Sequence, residues 1–300
     1  MTMTDYKPTP AEVQNLRQRT GAGMMDCRNA LVETAGDAAQ AVENLRKRGI
    51  AKAEKRAGRV ASEGRIVALV SPDRGVGALL ELNSETDFVA RTEEFGALAQ
   101  SLADEVFRNE SLDAAVTNAA DSDFLAKPLL ADASKTIGSV VTEASARTGE
   151  NVVLRRFARF QTDGTIGSYV HHNGRVAVLV DVTGARGEAV TELGKRVAEH
   201  IAGSPTVPQA VRREEIPAEV VERERRIYEE KARTEGKPEA IIPKIVDGQV
   251  KRFYGEVTLL EQPWVRDDSK TIQQLVDEAA KTAGGPLSVR RFVRYRMGEE

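Results

Sequence analysis

Gly64-Arg65-Ile66, a strand running on to Val70, a turn at Ser71-Pro72-Asp73-Arg74-Gly75, and a second strand through Val76 and Leu79-Leu80-Glu81-Leu82 decide the fold, because the chain contains them twice. A hundred positions on, Gly164-Thr165-Ile166 matches Gly64-Arg65-Ile66, Val170 matches Val70, Val176 matches Val76, and Leu179-Val180-Asp181-Val182 matches Leu79-Leu80-Glu81-Leu82, all without a gap. Self-similarity at a fixed offset marks a duplicated structural unit. Each copy reads as strand, turn and second apolar strand, the second turn being His171-His172-Asn173-Gly174. Helical segments follow each hairpin, over 93–106 and 188–201. The economical reading is two related α+β subdomains, each an antiparallel sheet covered by helices. A helix over about 123–146, with Leu125, Leu129, Ile137, Val140 and Val141 apolar, is expected between them.

Upstream of the repeat the sequence predicts three short helices. Thr9-Pro10-Ala11-Glu12 is a capping box with proline at the first helical position. That helix carries Val13 and Leu16 on one face and stops at Thr20-Gly21. A second, over 23–34, puts Cys27 and Leu31 four apart and is ended by Gly36. Asp37-Ala38-Ala39-Gln40 is another capping box, opening a third helix with Ala41, Val42 and Leu45 inward and closed by Gly49. Together they form a compact mini-bundle. From Arg46 to Arg65 eight basic residues stand against two acids, Glu54 and Glu63. Such a run fits an acidic partner or RNA, but no aromatic residues interleave for base stacking, which favours a solvated helical linker.

A different element begins at Ile216-Pro217. Residues 218–233 are helix-forming and highly charged, with Val220, Val221, Ile227 and Tyr228 as a narrow apolar seam. Glu235-Gly236-Lys237-Pro238 turns the chain, and Ile242, Val246, Val250 and Phe253 mark a second helix ending near Gly255. Two narrow seams joined by a short turn predict an antiparallel coiled-coil hairpin that protrudes from the body. The strand-like Glu256-Val257-Thr258-Leu259-Leu260, a helix over 271–283 and a last strand over 288–295 complete the chain. The expected organisation is a helical module with its basic linker over 1–58, a first core subdomain over 59–150, and a second over 151–300 with the hairpin inserted at about 216–255.

The 300 residues are 41% hydrophobic and 30% charged, which suits a folded globular protein rather than a disordered one. A formal net charge of −3 leaves no global basic field to draw the chain onto nucleic acid. There is no apolar run long enough for a transmembrane helix. The opening Met1-Thr2-Met3-Thr4-Asp5-Tyr6 lacks the charged and apolar regions of a signal peptide. One cysteine, Cys27, forms no internal disulfide and points to a reducing, cytoplasmic setting. With three histidines and none of the phosphate-loop, dinucleotide or nucleophile-elbow motifs, nothing in the sequence argues for an enzyme, and no cofactor or metal is expected.

Several stretches resemble the elongation factor Ts family. Leu16-Arg17-Gln18-Arg19-Thr20-Gly21-Ala22-Gly23-Met24-Met25-Asp26-Cys27 is similar to its N-terminal signature, as is Leu45-Arg46-Lys47-Arg48-Gly49. Glu81-Leu82-Asn83-Ser84-Glu85-Thr86-Asp87-Phe88-Val89-Ala90 is similar to its second signature. Thr148-Gly149-Glu150-Asn151, Gly167-Ser168-Tyr169 with His171, and Gly255-Glu256-Val257 through Gln262-Pro263 continue the likeness in order. The resemblance implies a ubiquitin-associated-like N-terminal module, two related core subdomains and an inserted coiled coil. It also implies a guanine nucleotide exchange factor in translation elongation whose partner is elongation factor Tu, GDP-bound or nucleotide-free. Membranes and direct nucleic-acid contact are not expected; relatives form one-to-one or two-plus-two assemblies, and a homodimer is open. The alternative is an RNA-binding translation accessory protein using residues 46–65.

In the family, Thr86-Asp87-Phe88-Val89 would be the working loop, with Phe88 pushed between two helices of the GTPase and Asp87 beside it, disturbing the Mg²⁺ and phosphate region. Without the resemblance, a phenylalanine just past a strand is more often a core residue of the next helix. Arg17, Met24 and Met25 would meet the GTPase domain; two adjacent methionines cannot both face so small a core. Thr148 and Gly149 would make a secondary contact, although relatives often have isoleucine where Thr148 stands. His171 would touch the third domain of elongation factor Tu, and His172 is a local extra. As adjacent strand residues the two histidines are expected on opposite faces, unable to share a metal. The chain reaches Met297-Gly298-Glu299-Glu300 without the C-terminal helical module of many relatives, so the remaining regions are expected to carry binding.

Overall fold

The computed structural model describes residues 6–299. Residues 1–5, most of the stretch expected not to be a signal peptide, and Glu300 lie outside the described residues. In chain order the elements are helices α1 (Pro10–Thr20), α2 (Met24–Glu33) and α3 (Ala38–Glu54); hairpin β1 (Glu63–Val70) and β2 (Val76–Ser84); one turn of helix, α4 (Asp87–Ala90), and α5 (Glu93–Arg108); β3 (Ala114–Val116), α6 (Ile137–Thr148) and β4 (Val153–Gln161). The second half holds β5 (Thr165–Val170), β6 (Val176–Thr183), α7 (Glu188–Gly203), α8 (Ala218–Thr234), α9 (Ile242–Val257), the small pair β7 (Pro263–Trp264) and β8 (Asp267–Thr271), α10 (Ile272–Ala283) and β9 (Ser288–Arg296).

Mixed helices and antiparallel sheets give an α+β fold. One sheet has the order β1-β2-β4-β3 and the other β5-β6-β9. The repeat survives in detail. Both β2 and β6 carry a register shift at the same point, Glu81/Leu82 and Asp181/Val182. A Cβ at Gly64 would overlap the Leu82 carbonyl oxygen, and one at Gly164 that of Val182, so each hairpin needs glycine where its strands close up. The sheets meet face to face through Ile66, Leu79, Phe160, Ile166, Leu179 and Val293. Helices α5 and α6 cover the outer face of the first sheet around Leu80, Leu102, Ile137 and Phe157, and α7 and α10 that of the second around Val180, Val197 and Leu275.

Several expectations need correcting. α3 does not stop at Gly49 but continues to Glu54; a Cβ at Gly49 would lie 2.9 Å from that of Ala146, so the glycine admits close packing of α3 on α6 rather than ending a helix. No single helix spans 123–146. Asp123–Ala126 is a 3₁₀ turn, Pro128 cannot continue a helix, and α6 starts only after a capping box of Thr136 and Ser139. The second half repeats this with Thr271 and Gln274, and the bridge between Pro128 and Thr136 matches the pairing of Pro263 with Thr271. β4 had no counterpart in the sequence reading. It pairs with β2, so the first sheet reaches Gln161, past the boundary expected at 150. The strand expected at 256–260 is the end of α9 and a 3₁₀ turn at Leu259–Glu261, where Leu259 donates its N–H to the Ala210 carbonyl at 2.9 Å.

α8 and α9 lie antiparallel, joined through Val221, Tyr228, Ala232, Ile242, Val246 and Val250. Ile227, expected on this seam, is half-exposed; Ala232, one helical turn beyond Tyr228, takes the inward position. Among the described residues no helix is long and apolar enough to cross a membrane.

Candidate partner-binding surface

The chain leaves β2 through Ser84, Glu85 and Thr86, and Thr86 caps α4: its Oγ1 accepts the Val89 N–H at 3.4 Å. Thr86 is itself held from another part of the chain. The Glu150 carboxylate accepts the Thr86 N–H at 3.0 Å and its hydroxyl at 2.6 Å, while Ser84 Oγ donates to the Thr86 carbonyl at 2.9 Å. Glu85 accepts the backbone N–H of Asn151 at 2.7 Å and pairs with Arg59 at 3.4 Å. Arg65 Nε donates to the Ala90 carbonyl at 2.7 Å, securing the far end.

Within that frame a single helical turn sends neighbouring side chains in different directions. Ala90 is buried, Val89 packs against the first core, Asp87 pairs with Arg91 at 2.8 Å, and Phe88 is 81% exposed. The reading of Phe88 as a core residue does not hold; Phe95, in the first turn of α5, fills that role at 3% exposure. A large aromatic ring left in water on a pinned turn is a poor choice for stability and a good one for contact.

Thr148 and Gly149 lie beside this turn because Glu150 follows them. Gly149 ends α6 in the left-handed region (φ 76°), and the Thr148 hydroxyl donates to the Ala144 carbonyl at 2.9 Å while accepting the Glu150 N–H at 3.3 Å. In the sequence Glu150 and Asn151 stand only as part of a motif. Their role as holders of the turn was hidden because 64 residues separate Glu150 from Thr86.

The N-terminal module docks on α6. A Cβ at Gly21 would meet the Arg147 side chain, and Arg46 pairs with Glu143 at 3.3 Å, leaving a cleft of about 420 Å³ between module and helix. Met24 and Met25, on the first turn of α2, are 42% and 62% exposed, and Arg17 on α1 is exposed as well. Most charges of the basic stretch are engaged within the chain: Lys47 with Glu43, Arg48 with Glu33, Lys52 with Asp26 and Arg59 with Glu85.

His171 opens the turn between β5 and β6, its Nδ1 2.9 Å from the Tyr169 hydroxyl. The expectation that His171 and His172 face apart fails. β5 ends at Val170, so the strand alternation no longer applies, and the two rings lie 4.2 Å apart at 54°. Among the described residues no group of three or more His, Cys, Asp or Glu could hold a metal. Just after the turn, Arg175 pairs with Glu63 at 2.6 Å, holding that carboxyl below its ordinary range. Because Glu63 faces Ser84 across the β1–β2 ladder, the histidine turn lies toward the same end of the core as the Phe88 turn.

The family model for elongation factor TS matches residues 85–299. Elongation factor Ts of Trichlorobacter lovleyi is 43% identical over 297 residues, covering 97% of this chain and 93% of its own length. That of Clostridium botulinum (strain Alaska E43) is 45% identical over 289 residues, covering 96% and 92%. That of Aquifex aeolicus is 43% identical over 288 residues, covering 96% and 97%. With such similarity along nearly the full length of both chains, this protein belongs to the elongation factor Ts family.

Proposed function

We propose that this translation elongation factor binds elongation factor Tu carrying GDP and promotes GDP release, and with it GTP loading, by pressing Phe88 toward the partner's Mg²⁺ and phosphate site. The observation that carries the reading is an 81%-exposed phenylalanine on a turn fixed from both sides. A ligand held at nanomolar affinity lies in a well of about −12 kcal/mol and leaves slowly on its own. A partner that binds the nucleotide-free form more tightly weakens nucleotide binding by the same factor, and each tenfold needs about 1.4 kcal/mol of differential contact. A rigid aromatic entering a packed site supplies such contact only if its base does not yield. Thr86 and Val89 are then the mount, Asp87 the charged neighbour, and Phe88 the wedge.

Arg17, Met24, Met25, Thr148, Gly149 and His171 are further contacts in this reading, with the three-helix module acting as a ubiquitin-associated-like docking unit and α8–α9 as a coiled-coil arm. The factor makes and breaks no covalent bond, needs no cofactor and works in the cytoplasm; the wedge needs one copy of each partner, whether the complex is one-to-one or two-plus-two. The internally paired charges of residues 46–65 give no support to the RNA-binding alternative. The test is release of labelled GDP from elongation factor Tu by wild type and Phe88→Ala. The wild type should accelerate release, and the variant should lose most of that acceleration. No acceleration by wild type defeats the exchange reading; full activity of Phe88→Ala defeats the wedge.

A further inference from the structure

We infer that Val60 is a second apolar contact for elongation factor Tu, set beside Phe88 on one surface; the inference rests on the reading of Phe88 as a contact. Among the large hydrophobic side chains described, Val60 and Phe88 are the most exposed, at 82% and 81%. One exposed valine is ordinary. Two such side chains on neighbouring, tethered segments are not.

The connector that carries Val60 is held rather than loose. The side-chain amide of buried Asn151 donates to the Arg59 carbonyl at 2.7 Å and reaches that of Ala57 at 3.4 Å, and the Arg59 N–H closes a turn onto the Arg56 carbonyl at 2.8 Å. Arg59 also pairs with Glu85, the residue before Thr86. Asn151 and Glu85 therefore anchor both the Val60 connector and the Phe88 turn.

Both segments leave the same end of the β1–β2 pair. Glu63 faces Ser84 as the last pair of the antiparallel ladder. Val60 stands three residues before Glu63 and Asp87 three after Ser84, and the Arg59–Glu85 pair at 3.4 Å ties the two segments together. Arg59, Glu85, Asp87 and Arg91 supply a charged border to this apolar pair, the usual anatomy of a contact patch with a polar rim.

The two residues should act differently. Val60 sits on a fixed connector and makes the same contact before and after nucleotide leaves, which strengthens docking without changing the maximal release rate. Phe88 acts on the displaced state and sets that maximum.

The test titrates GDP release against factor concentration for wild type, Val60→Ala, Val60→Asp and Phe88→Ala. Burying a valine side chain supports an expected rise of about tenfold in the half-saturating concentration for Val60→Ala, more for Val60→Asp, with the plateau rate unchanged. Phe88→Ala should lower the plateau. Thermal midpoints of the Val60 variants should equal wild type, since the side chain is largely in water. If Val60→Ala superimposes on wild type while Phe88→Ala is impaired, the Val60 inference is overturned and the wedge stands. If both superimpose, the wedge reading fails and takes the Val60 inference with it. If Val60→Ala lowers the midpoint, the near-isosteric Val60→Thr decides: a raised half-saturating concentration in a stable protein supports the contact, and an unchanged one overturns it.

Discussion

Replacing Glu150 by alanine should loosen the Phe88 turn without touching any contact residue. The carboxylate holds Thr86 by two hydrogen bonds, 3.0 Å to the backbone N–H and 2.6 Å to the hydroxyl, and among the described residues no other acceptor reaches those two donors. Hydrogen bonds to a charged acceptor contribute about 1.5–3 kcal/mol each when shielded. Glu150 is only half-buried, so water replaces part of both, and a net loss of about 2 kcal/mol in the order of the turn is the consistent figure. That corresponds to about a 30-fold smaller population of the held geometry relative to its alternatives. Plateau GDP release should then fall by up to the same factor. Docking through the N-terminal module stays, so the half-saturating concentration should move little. Glu150→Gln keeps one good acceptor and should lose only a few-fold. Stopped-flow release of a fluorescent GDP reads the rate, and hydrogen exchange at the Thr86 and Val89 amides reads the turn. An alanine variant with wild-type plateau and unchanged protection at Val89 would refute the claim that Glu150 holds the wedge.

Two further outcomes follow from buried polar groups. Glu81 is fully buried and pairs at 2.7 Å with Arg156, whose side chain is 12% exposed, so Glu81→Ala leaves a largely desolvated guanidinium with only its hydrogen bond to the Arg296 carbonyl and should cost about 3 kcal/mol, seen as a midpoint lower by on the order of 10 °C in a thermal melt. His200 is fully buried, its Nε2 donating to Gln262 Oε1 at 2.8 Å and its Nδ1 accepting the Val265 N–H at 3.3 Å; burial pushes its pKa below the ordinary 6.5. Since the unfolded chain then takes up the proton first, the folded state should be steady above pH 6.5 and lose stability as pH falls below it. His200→Asn should flatten that part of the midpoint-against-pH profile.

The hairpins and most helix starts were legible because their determinants are local. Thr9 acts with Glu12, three residues on, and the two strands of each hairpin are neighbours in the chain. The sequence misleads where a partner outside the segment decides. Gly49 reads as a stop until Ala146 is seen against it, and the run 123–146 reads as one helix unless Pro128 is given its full weight. β4 is not legible in the sequence because its half-apolar Val153–Gln161 becomes a strand by pairing with β2. At the site, the outward direction of Phe88 depends on Thr86 capping α4, and hence on Glu150. Only the resemblance carried that position from the sequence.

Duplication explains why an exposed aromatic turn arises at one strand exit and not at the other. Both halves offer a rigid strand exit beside a helix ended by a left-handed glycine, Gly149 after α6 and Gly284 after α10, each at φ 76°. After Gly149 comes Glu150, which grips Thr86; after Gly284 comes Gly285, which has no side chain to grip anything. The position matching Thr86 is Arg186, and it is committed elsewhere: its guanidinium donates to the carbonyls of Thr162, Asp163 and Asp73 and pairs with the Asp73 carboxylate at 3.5 Å, tying the second exit down onto the first hairpin. The second exit runs into α7 without an intervening turn like α4. One exit thus locks the two halves together, which stiffens the base on which the other presents Phe88. Exchange of Glu150 and Gly285 would not build a second such turn, because Arg186 is part of the interface that makes the base rigid.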